Sequence, residues 1–508
     1  MSGAALDALA TLAVAGYALA TAVLAALGLH AGLLAAVRLR RPPRPLPRDE
    51  RAPWPLVVVQ LPVYDEPPAL VARALDAALA LEARGPVEVQ LLDDSPRAGR
   101  LANAALCADR RARAARRGRT LRHVARADRA GFKAGALAAG LDAAPPAPDR
   151  LAAVFDVDFR PAPDTLLRLV PALLADPGLA FVQGVWAHPD ADRTALGRVQ
   201  AAVLDFHFAV EQAGRDRAGL PITFNGTAGA WRVAAIDAVG GWSGDTLAED
   251  LDLALRVQTA GWRARLAEDV AVPADLPPTV GAWRRQQARW AKGLAEVGRT
   301  AAGRVRSSGL SGAGRAEALA MPALSLSLPA LLAVAVLHPA VALAGATGVG
   351  PVPATFAALG AGWVGLVGLI GAHAVTQRAL YPGVWVRRLG WLPAVLVAPL
   401  ALAVPATAAV GEAARGVRTP FERTPKDGRP APPAAQGGGA EWALAAYSAL
   451  GAAVLVGAGA FAGAAFQGLL AVGFAGAAGS LRARPVAEAA PEAAPEAAAA
   501  ADVRRVAA

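Results

Sequence analysis

Two stretches hold residue types suited to sugar chemistry. In the first, Glu249 and Asp250 stand side by side just before a helical pattern in which Leu251, Leu255 and Gln258 recur. In the second, Gln286, Arg289 and Trp290 fall at i, i+3 and i+4, so a helix puts them on one face. A carboxylate can take a proton from a hydroxyl. An indole gives a sugar ring a flat apolar surface with a polar edge. The same residues would also serve a capped surface helix, followed by a helix with a core tryptophan and a solvated arginine. Other carboxylates stand at the ends of apolar runs: Asp65, Asp93, Asp94, Asp156 and Asp158. Asp156 and Asp158 are two apart and leave the chain on the same side, an oxygen site suited to Mg2+ or Mn2+ held jointly with a diphosphate. Lys133, between Phe132 and Ala134 in a glycine-flanked turn, could pair with phosphate or lie on the surface. No GxxxxGK[ST] loop is present, and the few histidines are unclustered, which points away from zinc.

The elements that must carry these groups alternate. Residues 56–61, 87–92, a run toward Val124 and 151–155 read as buried strands, and 67–83, 100–117 and 135–141 read as helices. This order predicts an α/β domain with a mainly parallel sheet, whose ligands bind beyond the carboxyl ends of the strands. The carboxylates sit at those ends.

Outside this region the chain is apolar, and 55% of its 508 residues are hydrophobic. Residues 5–37 form one long apolar run, too long for a cleaved signal peptide and without its basic start. Arg38, Arg40, Arg41, Arg44, Arg48 and Arg51 follow, which assigns the next domain to the cytoplasm. Further candidate spans are 317–344, 353–376, 391–411 and 441–480, the last long enough to fold back as two. The basic loops 377–388 and 412–429 cannot both be cytoplasmic if 391–411 crosses once; its Pro393, Pro399 and Pro405 leave a broken, re-entrant or interfacial segment open. The net charge is +10, but the arginines flank spans, so nucleic acid is not the expected partner. A single cysteine, Cys107, excludes an internal disulfide. The predicted organisation is an N-terminal span (1–38), a basic linker (39–54), the α/β domain (55–300), membrane or interfacial helices with a basic loop at 412–440 (301–481), and an Ala/Pro/Glu-rich disordered tail (482–508).

Several motifs occur in order: Gln60-Leu61-Pro62-Val63-Tyr64-Asp65-Glu66, Leu92-Asp93-Asp94-Ser95, Gly131-Phe132-Lys133-Ala134-Gly135, and Phe155-Asp156-Val157-Asp158-Phe159. Phe181-Val182-Gln183, Asp205-Phe206-His207-Phe208, Phe224-Asn225-Gly226-Thr227, Glu249-Asp250-Leu251 and Gln286-Gln287-Ala288-Arg289-Trp290 follow. The set resembles the family 2 membrane glycosyltransferases of the cellulose-synthase-like group, nearest to the glucomannan mannosyltransferases and their bacterial relatives. It covers about 55–300, and Arg423-Thr424-Pro425-Lys426 extends it.

The resemblance implies a GT-A-type domain and an integral protein of a bacterial-type plasma membrane. By it, Asp65, Asp93, Asp94, Lys133, Asp156, Gln286 and Arg289 would hold the donor, with Asp94 on the nucleotide side. Asp158, with Asp156, would hold the metal and diphosphate. Asp250 would be the base, and Trp290, Asn225, Gly226 and Glu249 would meet the acceptor. Ala248 stands where many cellulose synthases have Thr, and Asp65 where Asn is common. No cyclic-di-GMP-binding domain is recognisable. The implied reaction is inverting hexosyl transfer from GDP-mannose or UDP-glucose to a β-linked polysaccharide, processive and coupled to export. The alternatives are transfer of one sugar to a membrane lipid, and a non-catalytic polysaccharide-export partner.

Overall fold

The computed structural model describes residues 3–420 and 438–482. The Arg423-Thr424-Pro425-Lys426 motif, most of the basic loop and the predicted disordered tail lie outside the described residues.

A seven-stranded sheet has the order β3-β2-β1-β4-β6-β5-β7. Its strands are β1 Val57–Val63, β2 Val87–Asp93, β3 Arg119–Ala125, β4 Leu151–Val154, β5 Leu179–Ala187, β6 Gly229–Arg232 and β7 Arg263–Pro273. The predicted α/β class holds, with mainly parallel pairing. β6 alone runs antiparallel, between β4 and β5. β1, β2 and β4 are buried nearly throughout because helices cover both faces; the polar Gln60, Glu88 and Gln90 are buried within them as well. The reversal of β6 has a consequence for the site. The loop entering β6 rises at the same edge where β1, β2 and β4 end.

Among the described residues, six helices are long and apolar enough to cross a membrane: Gly3–Arg40, Gly312–Thr347, Val352–Leu380, Trp385–Ala414, Gly439–Gly457 and Phe461–Leu481. The apolar run 441–480 is thus two helices. The first helix packs backbone to backbone on Val352–Leu380: a side chain on Gly28 would run into Gly365, and one on Gly32 would touch Gly368. Small residues allow this approach where lipid offers no hydrophobic drive.

The segment 391–411 is not broken. Leu392–Ala414 is one helix with Pro399 and Pro405 inside it. Both of its ends meet the α/β domain. At its start Arg198 lies over the Trp391 ring at 4.8 Å, and Arg388 pairs with Asp192 at 3.3 Å. At its end Lys292 donates to Glu412 at 2.7 Å, and Arg299 donates to the Ala413 carbonyl. Arg388 and Glu412, at the two ends of this helix, are thus both held against the α/β domain. Arg284, paired with Glu441 at 2.6 Å, brings the start of Gly439–Gly457 against that domain as well.

Candidate active site

The floor of the site is the end of β4. Phe155, Val157 and Phe159 are at most 4% exposed, and a turn closed by the Phe159 N–H on the Asp156 carbonyl at 2.9 Å carries Asp156 and Asp158 on the cavity wall. The Asp156 backbone N–H donates to Thr227 Oγ1 at 2.9 Å. Lys133 sits in the first turn of the helix Phe132–Ala143, behind Gly131 at φ 69°. Its ammonium donates to Asp156 Oδ1 at 2.5 Å and to the Gly226 carbonyl at 3.0 Å.

At the end of β2, adjacent aspartates separate. Asp93 turns inward and is held by His123 at 2.8 Å, Asn103 at 3.0 Å and the Ser95 N–H at 2.9 Å. Asp94 faces the cavity and is gripped at both oxygens by Arg126, at 2.8 and 2.5 Å. Beyond β1, Asp65 is exposed at φ 56°, and its N–H donates to Ser95. Its neighbours Tyr64 and Glu66 line the cavity instead. The Arg129 guanidinium lies 3.3 Å over the centre of the Tyr64 ring.

The opposite wall is built by contact between two helices. Glu249–Thr259 opens with Glu249, Asp250 and Asp252 in its first turn, where the helix dipole favours negative charge. Its Leu251 and Leu255 pack against Val297, Ala301 and Val305 of the helix Val280–Ser307. Gly293 makes this possible: a Cβ there would stand 2.8 Å from the Ala248 backbone nitrogen. The close approach sets the Gln286, Arg289 and Trp290 face above Asp250. Trp290 also meets Trp186, with ring centres 6.3 Å apart. Gln258 acts as a peptide mimic, accepting from the Ile222 N–H at 3.0 Å and donating to its carbonyl at 2.8 Å. It thereby holds the loop that carries Asn225 and Gly226.

Burial and neighbouring charge set the protonation of these groups. Asp250 is pushed up to about 7, first by burial and then by Glu249 beside it; the Leu251 N–H, donated to Asp250 at 2.8 Å, opposes the shift. Burial also raises Glu249, against the pull of Lys133. Burial works against the charge on Lys133, but Asp156, Glu249 and Asp250 outweigh it and raise its pKa. Burial lowers Arg289, opposed by Glu249, Asp156 and Asp250.

One cavity of about 570 Å³ collects Asp94, Lys133, Asp156, Asp158, Asn225, Gly226, Glu249, Asp250, Gln286, Arg289 and Trp290. Asp65 and Asp93 are not on its wall. Tyr64, Arg129, His207, Glu211 and Arg215 line it without having been assigned a role from sequence. His207 stood in a quoted motif; nothing local marks Arg215 or the Asp94 partner Arg126. Among the described residues, no three His, Cys, Asp or Glu side chains converge as a metal cluster. The carboxyls of Asp156 and Asp158 fit a divalent cation that takes its remaining ligands from a diphosphate.

Residues 58–236 match the sequence profile Glycosyl transferase family 2, and residues 153–369 match Glycosyl transferase family group 2. The chain is 40% identical over 252 residues to the Probable glucomannan 4-beta-mannosyltransferase 7 of Oryza sativa subsp. japonica, covering 49% of this chain and 42% of that protein. It is 37% identical over 247 residues to Glucomannan 4-beta-mannosyltransferase 2 of Arabidopsis thaliana, covering 48% of this chain and 45% of that protein. The match thus spans less than half the length of either relative. Among solved structures, the mannosyltransferase PcManGT from Pyrobaculum calidifontis, in complex with GDP-Man and Mn2+, is similar at 23% identity and a TM-score of 0.49, over 72% of this chain and 99% of that one.

Proposed function

Because this chain belongs to glycosyltransferase family 2, in its cellulose-synthase-like group, we propose that it transfers a hexosyl unit, with inversion, from a nucleotide sugar to a β-linked polysaccharide. The observation that carries the reading is the meeting of Asp250, Lys133, Asp156 and Arg289 in one cavity with an aromatic wall.

Asp250 takes the proton of the acceptor hydroxyl as its oxygen attacks the anomeric carbon. The bond from that carbon to the diphosphate breaks, and the nucleoside diphosphate leaves with the electron pair. One displacement needs one base and no carboxylate nucleophile, which accounts for the inversion. Asp156 and Asp158 would hold a Mg2+ or Mn2+ ion, which offsets charge on the leaving diphosphate. Arg289 and Gln286 steady that diphosphate, and Asp94 the nucleotide. Trp290 carries the acceptor sugar. The relatives are described as mannosyltransferases, which favours GDP-mannose over UDP-glucose as donor.

The reading includes a cytoplasmic catalytic domain, since the six arginines from Arg38 to Arg51 stand at and after the end of the first helix. Leu392–Ala414 then lies along the membrane surface. The cavity reaches Ser325 and Leu328 at the start of an apolar helix, which suits passage of a growing polymer into the membrane helices. The same end carries Met321 and Leu324, which would also admit a lipid acceptor. A donor screen on purified protein, with nucleoside diphosphate release and product linkage measured, tests the reading. A lipid monoglycoside as sole product would replace polymer synthesis with the lipid alternative.

A further inference from the structure

A second polar wall of the cavity is built on the π-helical segment His207–Gln212. Such segments re-aim side chains and recur at functional sites. The hydrogen bonds in this wall run in one direction. The Thr223 backbone N–H donates to Gln212 Oε1 at 3.1 Å, which fixes the Gln212 amide. Gln212 Nε2 donates to Asn225 Oδ1 at 3.0 Å, which fixes Asn225 in turn. Asn225 Nδ2 then donates to His207 Nε2 at 2.9 Å. His207 is therefore neutral and protonated at Nδ1, from which it donates to Glu211 Oε2 at 2.7 Å. Burial raises Glu211, but His207 and Arg215 outweigh it and hold the carboxyl below its usual range.

Arg215 comes next. It is fully buried, and its Nε donates to Glu317 Oε1 at 2.6 Å. Glu317 Oε2 meets His30 of the first apolar helix at 2.8 Å. Among the described residues, neither terminal nitrogen of Arg215, Nη1 or Nη2, has a hydrogen-bond partner, although the residue lines the cavity. Glu211 Oε1 is 4.0 Å from Nη2, too far for a hydrogen bond. Guanidinium donors buried without acceptors are costly to keep, so a ligand oxygen is the natural partner. The charge balance sets the ligand class. With His207 neutral, Arg215 faces two glutamates, and no net positive charge is left for a phosphate or a uronate. A hydroxyl can accept from the guanidinium and donate to Glu211.

We propose that Arg215, with Glu211 beside it, positions the acceptor by binding one of its neutral hydroxyls. The proposal rests on the transferase reading above. Arg215 and Asp250 line the same cavity, with Gly226, Asn225 and His207 between them.

The test uses full-length protein in nanodiscs, a saturating donor, and β-1,4-linked manno- and gluco-oligosaccharides as acceptors. Arg215→Lys keeps the charge but loses the fork. Its acceptor KM is expected to rise on the order of tenfold or more. Its donor KM and its acceptor-independent release of nucleoside diphosphate should stay within about twofold of wild type. Unchanged acceptor KM in the folded variant, or a donor KM rising in parallel, overturns the proposal. If Arg215→Lys does not fold, Arg215→Met combined with Glu317→Leu removes the pair without leaving an orphaned charge, and the same two results decide. If wild-type protein transfers to lipid but to none of the oligosaccharides, the acceptor KM is measured with that lipid, and the same comparison decides. Wild-type protein that releases no nucleoside diphosphate from GDP-mannose or UDP-glucose overturns both.

Discussion

Gly226 presses its backbone against the carboxyl of Asp250. A Cβ on Gly226 would stand 3.1 Å from Asp250 Oδ2 and 3.3 Å from the Lys133 ammonium. The residue also holds φ at 75°, a conformation that favours glycine. Gly226→Ala should therefore lower kcat by about tenfold or more, because it moves the base as well as straining the loop. Steady-state kinetics check this, with donor KM read beside kcat to separate base displacement from loss of the donor site.

The pH dependence follows from the same pair of walls. The proposed base, Asp250, must act as the carboxylate, and its pKa is raised to about 7. Below that value it is protonated and cannot accept the hydroxyl proton. Activity should therefore rise with pH, by about tenfold per unit in kcat/KM below the pKa, and level off above it. A pH profile of initial rates measures the limb. A flat profile between pH 5.5 and 8 would contradict the assignment.

Lys133 is the cation that Asp156, Glu249 and Asp250 share. Lys133→Gln removes it and leaves three carboxyls without their shared cation. The rising limb should move to higher pH, because a carboxylate without its cation is harder to ionise. The plateau rate should also fall, by about tenfold or more. An unmoved limb would mean that Lys133 does not act on Asp250.

Gly293 and Gly303 lie on the same helix and make a paired test. A Cβ at Gly293 meets the Ala248 backbone, whereas nothing lies within 4 Å of one at Gly303. Gly293→Ala should cost ~1–3 kcal/mol and most of the activity. Gly303→Ala should be neutral or stabilising by ~0.5–1 kcal/mol. Thermal unfolding in detergent, with activity measured alongside, distinguishes the two.

The strands were legible where burial is symmetric: 56–61 and 151–155 are mostly apolar runs because both sheet faces are covered, and 87–92 keeps its apolar residues around the buried Glu88 and Gln90. β6 was not, since Gly229–Arg232 is four residues long and its reversal depends on neighbours distant in sequence. Asp156 and Asp158 were legible as a carboxylate pair following a buried run, although a turn after β4, and not strand alternation, brings both to the cavity. Asp93 and Asp94 were not separable, because only the folded chain shows His123 and Asn103 taking one and Arg126 the other. Asp65 looked equivalent to its neighbours, yet the turn after β1 leaves it exposed. The union of Asp250 with Arg289 and Trp290 rests on Gly293 meeting Ala248. That long-range contact has no local sequence signal.

The central claim is that Asp250 deprotonates the acceptor. Its most direct test is Asp250→Asn in the purified full-length protein, with donor binding and turnover measured together. The amide keeps the size of the side chain and loses its basicity. We expect turnover to fall by about 10²–10⁴ while donor affinity stays near wild type. Turnover close to wild type in the folded variant would contradict the account.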